Sequence, residues 1–501
     1  MRLKIVVHVT GMFVRLFSPA LLAPAAVAAL YAEWRDALGF LATFAVTAAV
    51  GHVMCRASPE AADGLDRMRR VEGLAIVALT WLLLAHLAAV PYVVAGLGVI
   101  DALFESMSGL TTTGATVFED FSAYGRGIFF WRSLTQWLGG VGVIALFIAV
   151  LPRLAIAGRE LFFAEAAGPS DEKLTPQLRQ TAIALWRIYI ALTLAQVVAL
   201  MAAGMTLFDA ACHAFTTLSA GGFSPHPRSI AGYDSAAIDW IVIVFMFIAG
   251  ANFGLQYRAV RGGRHALMQD EELRAYAGIV AVATILCSIA LAAGDMSSLD
   301  AVRHGAFQVL SILTTTGYAS VDFELWSDQA KMVLFLTMFI GGCAGSAAGG
   351  PKVVRHLLMA RLTLRELKRM LHPRAVLPVR LGGRVVPESI LRDVQVFMLL
   401  YLLTFAVTAA IVVGFGATLI EGITGTIACL GNIGPGFGAL GPMGSFADLH
   451  PISKVVLTLA MWVGRLEVLT VLVLFKWEVW RTARWDVAKQ SDAGANAVSR
   501  R

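Results

Sequence analysis

Two stretches of the chain repeat the same residues at the same spacing: Phe104-Glu-Ser-Met-Ser108-Gly-Leu110-Thr-Thr-Thr-Gly114 and Phe307-Gln-Val-Leu-Ser311-Ile-Leu313-Thr-Thr-Thr-Gly317. Weaker copies lie at Phe215-Thr-Thr-Leu-Ser-Ala-Gly221-Gly222-Phe223 and Thr424-Gly-Thr-Ile-Ala-Cys-Leu-Gly-Asn432-Ile433-Gly434-Pro435-Gly436. The chemistry of such runs lies in the main chain. Four of them around one axis supply rings of backbone carbonyls that can replace the hydration shell of a monovalent cation. A glycine at each turn permits the backbone angles that aim those carbonyls inward. The candidate ligands are the main-chain groups of Thr112, Thr113 and Gly114, of Ser219, Ala220 and Gly221, of Thr315, Thr316 and Gly317, and of Asn432, Ile433 and Gly434. One copy alone would be an ordinary turn or helix cap, whereas four in register read as a pore.

Segments of this kind need helices to hold them. The composition supplies these: of 501 residues, 58% are apolar and 15% charged, against about 45–50% and about 25% for a soluble domain. A mean hydropathy of +0.72 needs long uncharged runs, and about 20 such residues cross a bilayer as a helix. Ten candidate spans follow, near 12–31, 37–55, 73–98, 127–151, 182–204, 236–257, 275–294, 331–356, 391–414 and 453–475. The fold class is therefore an all-α polytopic membrane protein, with short helices near 101–110, 208–217, 301–313 and 419–429 leading into the four segments. Their negative C-terminal ends would point at the pore and favour cations. The expected division is a two-helix hairpin (1–70), repeats at 71–155, 180–265, 272–370 and 387–485, and a tail at 486–501.

The connections after the second, fourth, sixth and eighth spans hold most of the Lys and Arg. They include Arg56, Arg67, Arg69 and Arg70, then Arg153, Arg159, Lys173 and Arg179, then Arg258, Arg261 and Arg264, then ten basic residues from Lys352 to Arg392. Such loops are expected on the cytoplasmic side, with both termini there. The opposite connections carry Arg35, Arg126, Arg132, Arg228, Arg303, Lys331 and Lys454 alongside Asp101, Glu105, Glu119, Asp120, Asp209, Asp322 and Glu421. Arg15 interrupts the first apolar run, so the N-terminus reads as an uncleaved hairpin and not a signal peptide. Five scattered cysteines form no CxxC pair and suggest neither a disulfide framework nor a zinc site. His52, His86 and His356 read as packing histidines, and no glycine run opens a soluble nucleotide-binding unit. No cofactor and no nucleic acid are expected.

Two polar or flexible features fall within spans. Gly341-Gly342-Cys-Ala-Gly345-Ser-Ala-Ala-Gly349-Gly350-Pro351 is too rich in glycine for a continuous helix in lipid, and Pro351 cannot donate a backbone hydrogen bond. A gate facing the pore and close packing of helices through small residues fit these residues equally well. Arg465 sits deep in the last span, where a charge is costly unless it faces protein or water. Glu467, two residues on, lies on another helix face and is a poor partner.

With Trp131-Arg-Ser-Leu-Thr-Gln-Trp-Leu-Gly-Gly-Val-Gly142, Asp171-Glu-Lys-Leu-Thr-Pro176, Gly341–Ser346 and Gly464-Arg-Leu-Glu467, the chain resembles the potassium uptake proteins of the TrkH/KtrB/HKT superfamily, most closely the TrkH branch. The resemblance implies four M1-P-M2 units like those of a potassium channel, plus an N-terminal helix pair. It implies filter glycines at 114, 221, 317 and 434, and hence potassium as the ion. It also implies a gate made of the 341–350 loop and Arg465. Further implications are a homodimer with a pore in each protomer, a cytosolic nucleotide-binding regulatory subunit of the TrkA type, and location in the inner membrane. Anionic lipid beside the 352–392 loop follows from its charge. A sodium- or proton-coupled potassium symporter remains the alternative, and a membrane enzyme would need catalytic clusters that the spans lack.

Overall fold

The computed structural model describes residues 2–58, 70–150, 174–263, 265–294 and 296–475. Arg67, Arg69, Arg153, Arg159, Lys173, Arg264, the start of the Asp171–Pro176 motif and the tail 486–501 lie outside the described residues. The chain begins with α1 (Leu3–Phe17), a 3-10 turn through Pro19, α2 (Leu22–Leu30) and α3 (Trp34–Arg56). The first span therefore starts at residue 3 and not near 12. α1 and α3 cross at two glycines: a Cβ on Gly11 would lie 2.7 Å from the Met54 Cβ, and one on Gly51 2.8 Å from the Arg15 nitrogen.

A pattern of outer helix, short helix and inner helix then occurs four times. The first set is α4 (Arg70–Val94), α5 (Val99–Leu110) and α6 (Arg126–Val150). The second is α7 (Leu174–Ala202), α8 (Leu207–Leu218) and α9 (Ala236–Gly250), continued by α10 (Phe253–Gly262) and the short α11 (His265–Gln269). The third is α12 (Glu271–Ala292), α13 (Ser298–Leu313), α14 (Asp328–Thr337) and, after a loop, α15 (Val353–Leu371). A two-residue hairpin of β1 (Arg380–Leu381) and β2 (Arg384–Val385), which the all-α reading did not anticipate, leads to the fourth set. That set is α16 (Glu388–Gly414), α17 (Leu419–Leu430), α18 (Pro451–Arg465) and α19 (Val468–Leu474). Among the described residues six helices are long and apolar enough to cross a membrane, or eight with two bent pairs included. The expected spans 127–151 and 331–356 correspond to α6 and to α14 with its loop. The protein is a helical, multi-pass membrane protein.

Local chemistry explains the short helices. Thr206, Ser297 and Thr418 accept the amides of Asp209, Asp300 and Glu421, the last as a full capping box, each cap worth about 1 kcal/mol. At the other end all four helices close with the same Schellman pair of bonds. In the first, the Thr113 amide donates to the Ser108 carbonyl at 2.8 Å and that of Thr112 to Gly109 at 3.0 Å; Gly221, Thr316 and Ile433 repeat the longer-range bond to Thr216, Ser311 and Ala428. The motif requires a left-handed residue, supplied by Thr112, Ala220, Thr315 and Asn432 with φ between 53° and 57°, at roughly 1–2 kcal/mol each for a residue with a Cβ.

The four sets close into a ring. α6 packs on α8, α9 on α13 and α18 back on α5, while Leu334 of α14 shares a buried cluster with Ile427 and Ile433. Two inner helices expected to be continuous are bent, by 99° between α9 and α10 and by 111° between α18 and α19. The first break leaves the Ala249 and Gly250 carbonyls without helical partners, and amides of Ala347 and Cys343 occupy them at 3.3 and 2.8 Å. Asn252 restarts the helix by accepting the Leu255 amide at 3.0 Å. At the second break Glu467 adopts φ 66°.

Candidate functional site

The Schellman ends fix the register of the four segments. Thr113, Gly221, Thr316 and Ile433 follow the left-handed residue, and Gly114, Gly222, Gly317 and Gly434 come next, all with positive φ. A Cβ on Gly114 would lie 2.2 Å from the Gly221 oxygen, one on Gly222 1.8 Å from that of Thr316, one on Gly317 2.1 Å from that of Ile433, and one on Gly434 2.9 Å from that of Thr113. Each glycine thus abuts the preceding carbonyl of the next repeat, and the fourth returns to the first. Four carbonyls encircle one axis so tightly that no side chain fits between them. The four glycines also line one cavity, with Thr116, Ser224 and His226 at its wall.

This register corrects the second segment by one residue. Ser219 stands where Thr111 and Thr314 stand, Ala220 matches Thr112, and Gly222 holds the place expected for Gly221. Gly221 is glycine for a different reason: a Cβ there would lie 2.4 Å from the Gln136 side chain. In the first and third segments Thr111 and Thr314 pair their hydroxyls with Thr113 and Thr316, both at 2.8 Å. Asn432 links the fourth segment to the first through Thr113 Oγ1 at 3.0 Å.

The glycine-rich loop lies directly against the inner end of these segments. The Gly349 amide donates to Thr315 Oγ1 at 2.7 Å, and a Cβ on Gly349 would lie 2.6 Å from the Gly431 oxygen. Gly341, Gly345 and Gly350 take positive φ, and a Cβ on Gly342 would press on the Gly250 oxygen at 2.9 Å. Arg465, 8% exposed, donates from Nη1 to the Ala347 carbonyl at 2.9 Å. Lys352 Nζ donates to Ala348 O at 2.8 Å. The alanines at 347 and 348 therefore serve through their carbonyls. Glu467 pairs with Arg355, whose guanidinium stacks on Phe397 at 3.9 Å.

Several charges that the sequence places in connecting loops are built into the wall instead. Arg132 and Glu105, 2% and 0% exposed, form an ion pair at 2.7 Å, and Lys454 pairs with Asp101 at 2.5 Å. A buried carboxylate needs such a partner, because its desolvation otherwise costs several kcal/mol. Outside the spans, burial and the nearby Arg228 push the His226 pKa below its ordinary value, and the Arg228 amide donates to His226 Nδ1 at 3.1 Å.

Sequence reasoning missed Glu272 and Gln136. Glu272 Oε1 accepts the amide of Ala344 within the loop at 2.7 Å and that of Val354 in the first turn of α15 at 3.1 Å. Gln136 and Arg132 left a readable signal: polar residues four apart inside an otherwise apolar span, hence on one helix face.

A fourfold ring of carbonyls inside a helical membrane protein, with a loop and a guanidinium beneath it, defines a class: proteins that pass cations across a membrane. The family model described as TrkH, cation transport protein, matches residues 39–481. The Trk system potassium uptake protein TrkH of Salmonella typhimurium is 38% identical over 490 residues, covering 96% of this chain and all of that one. TrkG of Escherichia coli is 36% identical over 485 residues, with 96% and 99% covered. The crystal structure of the potassium transporter TrkH from Vibrio parahaemolyticus superposes with a TM-score of 0.87 at 36% identity, covering 96% of this chain and all of that one. The chain belongs to the TrkH family of cation transport proteins and is not an enzyme.

Proposed function

We propose that the chain carries potassium across the inner membrane as the ion-conducting subunit of a Trk uptake system. The observation behind this reading is the cyclic contact of Gly114, Gly222, Gly317 and Gly434 with the carbonyls of Gly221, Thr316, Ile433 and Thr113. Four carbonyl dipoles can stand in for the water shell of a monovalent cation, and the names of the relatives make potassium that cation. In this reading the 341–350 loop and Arg465 form the gate. The organisation is a hairpin at 1–70 and four repeats, with both termini cytoplasmic. The basic 352–392 face meets anionic lipid and a TrkA-like nucleotide-binding subunit, and two protomers pair with a pore in each. The reaction needs no cofactor.

The test is rubidium uptake by proteoliposomes holding the purified chain. Uptake driven by voltage alone, competed by potassium and not by sodium, is the expected result. Uptake that requires a sodium or proton gradient would make the protein a symporter, and none under either drive would remove the conduction reading.

A further inference from the structure

The ring is not equal on all sides. Gln136, fully buried on α6, donates from Nε2 to the Gly221 carbonyl at 2.7 Å and accepts the Phe223 amide on Oε1 at 3.0 Å. One amide side chain thus bridges the peptide groups on either side of Gly222. Among the described residues the carbonyls of Thr113, Thr316 and Ile433 receive no hydrogen bond. One turn away on the same helix face, Arg132 donates from Nη1 to the Ser224 carbonyl at 3.2 Å and from Nη2 to Thr116 Oγ1 at 3.0 Å, just outside the ring. Its guanidinium lies 4.1 Å from the Phe223 ring centroid. The second segment is therefore tied to α6 on both sides of Gly222, at Gly221 and at Phe223 and Ser224.

We propose that Gln136 is a selectivity-positioning residue of the pore, anchored beside Arg132, that sets the direction of the Gly221 carbonyl. This rests on the reading of the ring as a potassium site. A carbonyl whose oxygen already accepts a short hydrogen bond is held in direction and has one of its two lone pairs engaged. A ring with one such member resists contraction around a smaller ion. Sodium gains most from contraction, so the bridge favours potassium. Gln136 touches the carbonyl and not the ion, and acts through it.

The experiment compares wild type, Gln136→Leu and Gln136→Met in proteoliposomes, reading the potassium-over-sodium permeability ratio from the reversal potential. Leu removes both bonds at similar volume. Met keeps the length of the side chain, offers the Phe223 amide only a weak sulfur acceptor and has no donor for Gly221. Both variants are expected to fold and to lower the ratio by roughly five- to tenfold, the scale of one lost hydrogen bond. A purely structural role would change the amount of folded protein and leave the ratio alone. Wild-type ratios in the folded variants, or loss of folded protein in both, would overturn the proposal. A wild-type chain without potassium preference would instead remove the reading on which it rests.

Discussion

The ring and the layer beneath it are made from the same four repeats, yet they obey opposite rules. In the ring each segment has the same backbone: a Schellman end, one left-handed residue and a glycine against its neighbour's carbonyl. Beneath it the four inner helices differ. α6 runs unbroken to Val150, α9 and α18 bend by 99° and 111°, and α14 ends at Thr337 before a loop that reaches the ring at Gly349. Coordination of one ion on an axis rewards equal ligands. Obstruction of the same axis needs a single intruding segment, with the others shaped to hold it.

The largest effect expected from breaking this contrast is at Gly222. Gly222→Ala places a Cβ where the Thr316 oxygen already lies, at rigid backbone, and should reduce selective rubidium uptake more than a hundredfold, which corresponds to roughly 3 kcal/mol. Gly221→Ala meets the Gln136 side chain instead, so adding Gln136→Ala should restore much of its uptake. Failure of that rescue, or rescue of Gly222→Ala by the same change, would reverse the register assigned to the second segment.

Next comes Arg465. A fixed charge about 6 Å from an ion repels it by roughly 2–3 kcal/mol at an effective dielectric near 20, on the order of thirty- to a hundredfold in occupancy. Arg465→Ala should therefore raise uptake by up to that factor, with Arg465→Lys in between, because it keeps the charge and loses the planar fork. Equal or lower uptake in a well-folded Ala variant would leave the loop alone as the obstruction. Glu272→Ala is expected to do less. It removes one oxygen that accepts an amide of the loop and one of α15, a loss of about 1–2 kcal/mol to loop closure, visible as roughly five- to thirtyfold higher basal uptake. Unchanged uptake would mean that the other loop contacts suffice.

The smallest effect concerns pH at the ring's outer cavity. Burial and Arg228 lower the His226 pKa, Asp209 partly opposes them, and His213 meets the same Tyr233 ring edge-on. His226 should thus be neutral above its ordinary value near 6.5 and gain its charge only in more acid solution. Uptake should be flat from pH 8 to about 6.5 and fall severalfold below it as the added charge repels cations. His226→Asn should lose that acid limb. An unchanged acid limb in this variant would locate the titration elsewhere.

The sequence exposes the repeats because Thr-Thr-Thr-Gly stands twice at the same spacing. The second segment was misplaced by one residue for a physical reason. Its left-handed position is Ala220, where a Schellman end usually carries glycine, and its extra glycine at 221 answers to Gln136, a contact 85 residues away in the chain. The loop and Arg465 were legible as oddities in apolar spans, but their junction at Ala347 was not, since it joins residues 118 apart. The bends of α9 and α18 escaped notice because no proline marks them. Their freed or strained groups are accommodated by partners from distant elements, which periodicity along one helix does not report.

In the proposed pore, four backbone carbonyls bind the transported ion. The most direct test is anomalous diffraction from crystals grown with rubidium in place of potassium. A rubidium peak is expected on the axis among the carbonyls of Thr113, Gly221, Thr316 and Ile433, lost when sodium replaces rubidium. Ordered rubidium elsewhere in the pore, with none at that ring, would contradict it.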